Sequence, residues 1–371
     1  MSYNNSVLTI TTSAVPDPYV VQAHGKFYLV YTAGDRVEIW CGSNLCCLEG
    51  TCHKTVVWRP PPDKEYSGGI WAPELHIVDG RWYIYVSCEN PREGNKSHRM
   101  YVIGGPRSSE DPCTGGSWEF LGPLRGMPNQ WAIDGTVARI NNQNYFIYSG
   151  WPLHNPSQSD NVQCLFIQRM TSPTETVGEP ACICEPHEHW EKSDGKGINE
   201  GPQWFASPDG SWQGLAYSCA GSWTRDYKMN TLRYTGGDPL NKSSWHKSPQ
   251  PLIQARRHPP FGPGHGSFLR HDNGETLSVY HGTDRETDGW ENRKARLQRV
   301  AWTSEGPSMG TGIVGTLVND EGMFWTMPAA KDERFRDGVD DAVFDMKDKV
   351  DGFKNDVTGH LGSLKDKFRK F

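Results

Sequence analysis

The chain has 371 residues, among them 40 glycines, 26 prolines, 15 tryptophans and ten cysteines, and a formal net charge of −6. That length permits a sizeable core, and the composition describes a turn-rich chain of many short strands rather than long periodic helices. The acidic balance argues against a nucleic-acid partner, and no apolar run approaches the ~20 residues of a transmembrane helix. Met1 to Asn5 show neither the basic start nor the apolar run of a signal peptide. The default expectation is therefore a cytoplasmic protein, with secretion open if the sequence is a mature form.

In chain order, Val7-Leu8-Thr9-Ile10-Thr11-Thr12 alternates like a strand, and in a ring of repeats such a strand commonly completes the last unit as a clasp. Five similar units follow. Each has a short polar anchor and then, about 10 to 15 residues on, an aromatic or β-branched run behind a turn. The anchors are Asp17 in Pro16-Asp17-Pro18, Glu74 in Trp71-Ala72-Pro73-Glu74, Asp134 in Ile133-Asp134-Gly135-Thr136, Glu200 in Asn199-Glu200-Gly201-Pro202, and His265 in Gly264-His265-Gly266-Ser267. The runs include Phe27 to Tyr31, Trp82 to Val86, Tyr145 to Tyr148, Gln213 to Tyr217 and Leu277 to Tyr280. Hairpin turns such as Asp79-Gly80 and Asn141-Asn142 introduce them. Repeats of roughly 60 residues built from hairpins predict an all-β, five-bladed β-propeller over 1–328, with equivalent polar residues converging on its axis.

The remaining stretch, 329–371, breaks the pattern. Val339, Val343, Met346, Val350, Phe353, Val357, Leu361, Leu364 and Phe368 recur at steps of three and four among charged residues. This predicts an amphipathic helical tail that packs on the propeller or mediates self-association.

Cys41, Cys46, Cys47 and Cys52 crowd one loop but show no CxxC spacing, so free thiols or incidental disulfides are expected rather than a metal site. Cys182 and Cys184 with His187 and His189 hold zinc-ligand chemistry, yet Cys-x-Cys equally suits one strand face, which is the reading taken here. Sequons at Asn4, Asn95 and Asn241 do not decide secretion.

Asp17, Asp134 and Glu200 carry the chemistry. Cleaving an acetal needs one acid to protonate the leaving oxygen and one base to activate water, and a third carboxylate can tune the acid. A single turn carboxylate is ordinarily structural. Three on different units, each beside a rigid proline or a glycine, form a pattern that turn chemistry alone does not require.

With these motifs in hand, Ser13 to about residue 328 resembles the family 43 glycoside hydrolases, five-bladed β-propeller enzymes with an inverting mechanism. The resemblance implies Asp17 as general base, Glu200 as general acid and Asp134 as the carboxylate that raises and orients the acid. It makes His265 an axial histidine supporting an ion, with calcium as the candidate, usually through bound water. Gly69 to His76, Trp131 to Thr136, Ile198 to Gln203 and Phe261 to Ser267 look like the branch that includes exo-α-1,5-L-arabinofuranosidases. Arg296 matches an arginine that in relatives reaches the active site, beside the tuning carboxylate. Trp71, Glu74, Trp151 and Trp223 are expected to line the sugar pocket, where indole faces pack on sugar C–H surfaces. The expected substrate is arabinan or arabino-oligosaccharide. A β-xylosidase or bifunctional enzyme on the same scaffold, and a carbohydrate-binding propeller without turnover, are the alternatives.

Overall fold

The computed structural model describes residues 4–114, 117–154, 160–272 and 274–309, together with short strands at 311–314, 317–320 and 323–326. The predicted helical tail lies outside the described residues. What is described is almost wholly β-structure, and its α-helix is the single turn α1 (Leu48–Thr51).

After β1 (Asn4–Thr9), the strands fall into five antiparallel units. Unit one is β2 (Tyr19–Ala23), β3 (Lys26–Val30), β4 (Val37–Gly42) and β5 (His53–Trp58); unit two is β6 (Gly68–Val78), β7 (Arg81–Glu89), β8 (Arg99–Arg107) and β9 (Glu119–Pro123). Unit three is β10 (Ala132–Ile140), β11 (Gln143–Gly150), β12 (Val162–Ser172) and β13 (Glu175–Cys184). After the short β14 (Lys192–Ser193), unit four is β15 (Lys196–Ala206), β16 (Gln213–Cys219), β17 (Lys228–Tyr234) and β18 (Trp245–Lys247). Unit five is β19 (Phe261–Arg270), β20 (Thr276–Thr283), β21 (Lys294–Thr303) and β22 (Gly306–Ser308).

The first two strands of units one to three are joined by two-residue turns in which both residues have positive φ. These are His24-Gly25 (52° and 68°), Asp79-Gly80 (49° and 76°) and Asn141-Asn142 (50° and 63°). This is the turn whose twist matches a hairpin, which is why glycine, Asp and Asn stand there. It fixes register, and register decides which residues face inward.

Each unit packs against the next through its own apolar cluster. Tyr28, Val30 and Ile39 of unit one meet Ile70, Trp82 and Ile84 of unit two; Tyr85 and Val102 meet Phe146 and Phe166 of unit three. Ile147 and Ile167 then meet Leu215 and Tyr217 of unit four, while Ala216 and Met229 meet Tyr280 and Val300 of unit five. A fifth cluster joins Leu277, Val279 and Leu297 of unit five to Val20, Leu29 and Trp40 of unit one. Burying each such side chain contributes about 1.5–3 kcal/mol, so these five seams hold the units in a fixed mutual arrangement. The first strand also crosses the ends of the chain: β1 pairs antiparallel with β21, Leu8 opposite Leu297, and parallel with β23 (Thr311–Val314). This is the clasp expected of Val7 to Thr12. A separate hairpin, β24 (Leu317–Asp320) with β25 (Met323–Thr326), ends the described chain.

Candidate active site

The first strands of units two to five break register with the second strand, in units two and five already between Gly68 and Trp71 and between Phe261 and Gly264. The breaks beside the anchors lie between Trp71 and Glu74, Ile133 and Thr136, Glu200 and Gln203, and Gly264 and Ser267. Inside each break one residue has positive φ: Ala72 (41°), Asp134 (55°), Gly201 (55°) and His265 (49°); Asp17 (55°) is the counterpart just before β2. A left-handed non-glycine residue costs about 1–2 kcal/mol. Four such residues in one region mark backbone held in place by its surroundings, and a bulge re-aims the side chain that it carries.

This geometry corrects the expectation that the five anchors are equivalent. The equivalent residues are Asp17, Ala72, Asp134, Gly201 and His265. Glu200 precedes its unit's bulge residue by one position, and Glu74 follows its own by two.

The second strands secure the bulges. Thr32, Ser87, Ser149, Ser218 and His281 stand opposite Pro16, Trp71, Ile133, Glu200 and Gly264. Four of them reach the next unit, three as acceptors: Thr32 Oγ1 accepts the Ala72 N–H (2.7 Å), Ser218 Oγ the His265 N–H (2.7 Å) and His281 Nδ1 the Asp17 N–H (3.1 Å). Ser149 Oγ donates to the Asn199 carbonyl, at 2.8 Å. Histidine thus replaces a small hydroxyl residue only in unit five, beside Asp17.

Asp17 has cationic or imidazole partners on three sides. Its Oδ1 lies 3.4 Å from His265 Nδ1, 3.3 Å from His281 Nδ1 and 3.4 Å from Arg293 Nη1, and Thr32 Oγ1 donates to its Oδ2 at 2.7 Å. Burial pushes this carboxyl up, but attraction to His265, Arg293 and His281 outweighs it and holds the group well below the usual carboxylate range. Asp17 is therefore ionised at any working pH. Burial also lowers His281 to about 4, so that imidazole is neutral.

Asp134 and Glu200 are both buried, 4% and 8% exposed. Burial and the neighbouring Glu200 and Asp17 carboxylates push Asp134 up, against a hydrogen bond from the Gly201 N–H to its Oδ2 (3.1 Å). Burial raises Glu200 to about 7, with Asp17 adding to the rise, while Tyr227 opposes it by donating its phenolic proton to Oε1 at 2.8 Å. The two acids titrate as a pair, and burial with mutual repulsion keeps a proton on that pair near neutrality.

The remaining predicted residues divide. Trp71 is stacked on His98 at 3.9 Å and packs with Trp131, Ile133 and Trp151; Trp151, 8% exposed, stacks on Trp131 at 4.9 Å. Both flank the residue that precedes Asp134. Glu74 is 2% exposed and engaged within the protein, with His76 Nε2 at 2.7 Å from its Oε2 and Gln203 donating to its Oε1. Its carboxylate helps push Asp134 up rather than facing outward to a sugar. Trp223 is half-buried, edge-on to Trp290.

Arg296 does not take the expected place beside Asp134. Its guanidinium is buried and donates to Asp284 Oδ1 (2.6 Å), the Gly282 carbonyl (3.1 Å) and Thr9. The cation at the carboxylates is Arg293, three residues earlier at the foot of β21, and its contact is Asp17. Tyr227 and His281, absent from the sequence reading, complete the set.

His265 Nδ1 faces Asp17 and Asp134, at 3.4 and 3.9 Å. Calcium takes six to eight oxygen ligands, and one imidazole turned toward two carboxylates is no coordinating set for it. A calcium ion here would be met by His265 through bound water. Among the described residues, one group of three metal-ligating side chains converges, Cys41, Asp111 and Cys113, where Asp111 is already paired with Lys26 at 2.8 Å. The described cysteines are free thiols, and Cys182 and Cys184 lie on β13, as the strand reading expected.

Comparison with known proteins gives the chain's relatives. An extracellular exo-α-(1→5)-L-arabinofuranosidase of Streptomyces avermitilis is 30% identical over 310 residues, 80% of this chain and 62% of that protein. α-L-Arabinofuranosidase 43 of Humicola insolens is 30% identical over 309 residues, with the same coverage of 80% and 62%. The chain thus spans about 62% of the length of these two relatives. The crystal structure of an α-L-arabinofuranosidase from Lactobacillus brevis superposes with a TM-score of 0.73 at 27% identity, over 82% of this chain and 97% of that one. The family model for glycosyl hydrolases family 43 matches residues 3–307, and the chain belongs to that family.

Proposed function

We propose that the protein is an inverting glycoside hydrolase that releases terminal L-arabinofuranose from arabinan or arabino-oligosaccharides. The five strand units, with a seam between each pair of neighbours and a fifth seam joining unit five to unit one, support reading them as the blades of a five-bladed β-propeller. The bulge residues and Glu200 then meet at one end of its axis.

One observation carries the chemistry: Asp17, half-buried, and Glu200, buried, have surroundings that drive their proton affinities in opposite directions. Two carboxyls separated in this way divide the work of base and acid. Asp17, held ionised by Arg293 and its histidine neighbours, takes a proton from water as the water oxygen forms a bond to the anomeric carbon. Glu200 gives its proton to the glycosidic oxygen as the bond from that oxygen to the anomeric carbon breaks. Each turnover leaves Asp17 protonated and Glu200 ionised, and exchange with solvent restores both. Asp134, itself pushed up by Glu200, titrates together with the acid, and by accepting the Gly201 N–H it fixes the backbone that carries Glu200. The arabinofuranosidase relatives support the choice of sugar, and Trp71 with Trp131 and Trp151 supplies an aromatic wall beside Asp134.

The test is a panel of nitrophenyl glycosides and linear arabino-oligosaccharides, with wild type and Glu200→Gln. Release of arabinose by wild type, with Glu200→Gln losing hydrolysis but retaining binding, supports the reading. Preference for xylosides would replace the sugar with xylose. Binding without turnover by wild type would make the protein a carbohydrate-binding module.

A further inference from the structure

Trp290 is 59% exposed, more than any other large apolar side chain among the described residues; the next, Val56, Ile77 and Val177, are aliphatic and stand on three different strands, β5, β6 and β13. Its ring is nevertheless fixed. Nε1 donates to Ser222 Oγ at 3.0 Å, and the indole stands edge-on to Trp223 at 5.8 Å and 71°. Trp223 is braced in turn, its Nε1 donating to Asp194 Oδ2 at 3.1 Å.

The two indoles belong to different loops, and each loop ends on a catalytic carboxylate. The connection from β16 to β17 carries Trp223 and runs to Tyr227, whose hydroxyl holds Glu200 Oε1. The connection from β20 to β21 carries Trp290 and runs to Arg293. Arg293 donates from Nε to the Trp290 carbonyl (3.0 Å) and from Nη1 to Asp17 Oδ1 (3.4 Å). A rigid, exposed indole so tied to the site is a surface prepared for a ligand, because aromatic faces left in water are otherwise a cost.

We propose that Trp290, braced by Trp223, is a binding platform for the departing part of the substrate, stacking its indole against a furanose ring beyond the scissile bond. The placement follows from the chemistry. Glu200 protonates the oxygen that leaves, so the departing chain lies on the Glu200 side, and the loop that bears on Glu200 is the one Trp290 leans on. The inference rests on the reading of the protein as an arabinan-cleaving enzyme for the identity of the sugar, though not for the existence of the platform. The ligand class is a linear oligosaccharide of at least three units, one at the carboxylates, one joined to it through the scissile bond and one on Trp290.

Calorimetry on the Glu200→Gln protein, with linear α-1,5-arabino-oligosaccharides and β-1,4-xylo-oligosaccharides of two to five units, tests the platform without turnover. Affinity should rise with length, and Trp290→Ala should remove about three- to tenfold of the gain between two and four units, the worth of one aromatic contact. Trp290→Phe should keep part of it. If length dependence is lost in Trp290→Ala but appears only with xylo-oligosaccharides, the platform stands and the arabinan reading fails. Affinities that show no gain with length, or that Trp290→Ala leaves the same at every length, overturn the platform.

Discussion

Tyr227 donates its hydroxyl proton to Glu200 Oε1 at 2.8 Å while its ring lies parallel to His281, with ring centroids 5.5 Å apart. One side chain thus touches both the proposed acid and the histidine that holds the backbone of the proposed base. The hydrogen bond favours ionised Glu200, so it moderates a proton affinity that burial raises. Tyr227→Phe should move the descending limb of kcat/KM to higher pH and cost about 1 kcal/mol of stability from the lost hydrogen bond. A pH profile beside a urea titration checks both.

In wild type the same limb should fall above about pH 7, as Glu200 loses its proton, with no ascending limb near pH 4 because Asp17 titrates well below the carboxylate range. The sign for stability follows from proton binding. Glu200 is raised from 4.5 to about 7 on folding, so the folded chain binds more protons between those values. Its contribution to stability is present below about 4.5 and is lost as pH rises through about 7. Chemical denaturation at several pH values, compared with Glu200→Gln, isolates the effect.

Arg293 and Arg296 should separate into function and fold. Arg293→Ala removes a cation 3.4 Å from Asp17, so Asp17 should titrate higher and kcat/KM should acquire an acid limb, with a loss of about 10- to 100-fold. Arg296→Leu leaves the Gly282 carbonyl without its partner and should cost about 1–3 kcal/mol, with kcat of the folded protein changed little. Kinetics and thermal melts on the two variants distinguish the roles.

Gly264→Ala tests the packing behind the acid. A Cβ there would come within 2.1 Å of the Tyr227 ring, and that ring cannot yield without dragging its hydroxyl from Glu200. Overpacking of this kind costs about 1–3 kcal/mol. The variant should combine that loss with an upward shift of the alkaline limb like that of Tyr227→Phe, measured by the same two experiments.

The three carboxylates were legible in the sequence because the bulges that aim them demand special backbone. Asp17 and Asp134 sit at positive φ before Pro18 and Gly135, and Glu200 stands beside Gly201, so proline and glycine mark the places from a distance. The hairpins were legible for the same reason. The second-strand residues were not singled out, although a signal exists: Tyr31-Thr32, Tyr148-Ser149, Tyr217-Ser218 and Tyr280-His281 end the apolar runs alike. A polar residue closing a buried strand reads as an edge until strand pairing sets it opposite a bulge. Arg293 was missed for Arg296 because alternation along β21 does not say which arginine faces the carboxylates. Arg293 stands just outside the strand, where the chain still turns, and Arg296 is drawn to Asp284 instead. Tyr227 came from a third loop, and nothing local to it reports the distance to Glu200.

Two carboxyls acting on opposite faces of the sugar invert its anomeric centre, and the anomer released first reports that directly. Proton NMR during the first turnovers on linear α-1,5-arabinotriose should show β-L-arabinofuranose appearing before mutarotation, with Glu200→Gln releasing none. Initial release of the α anomer would contradict the roles assigned to Asp17 and Glu200.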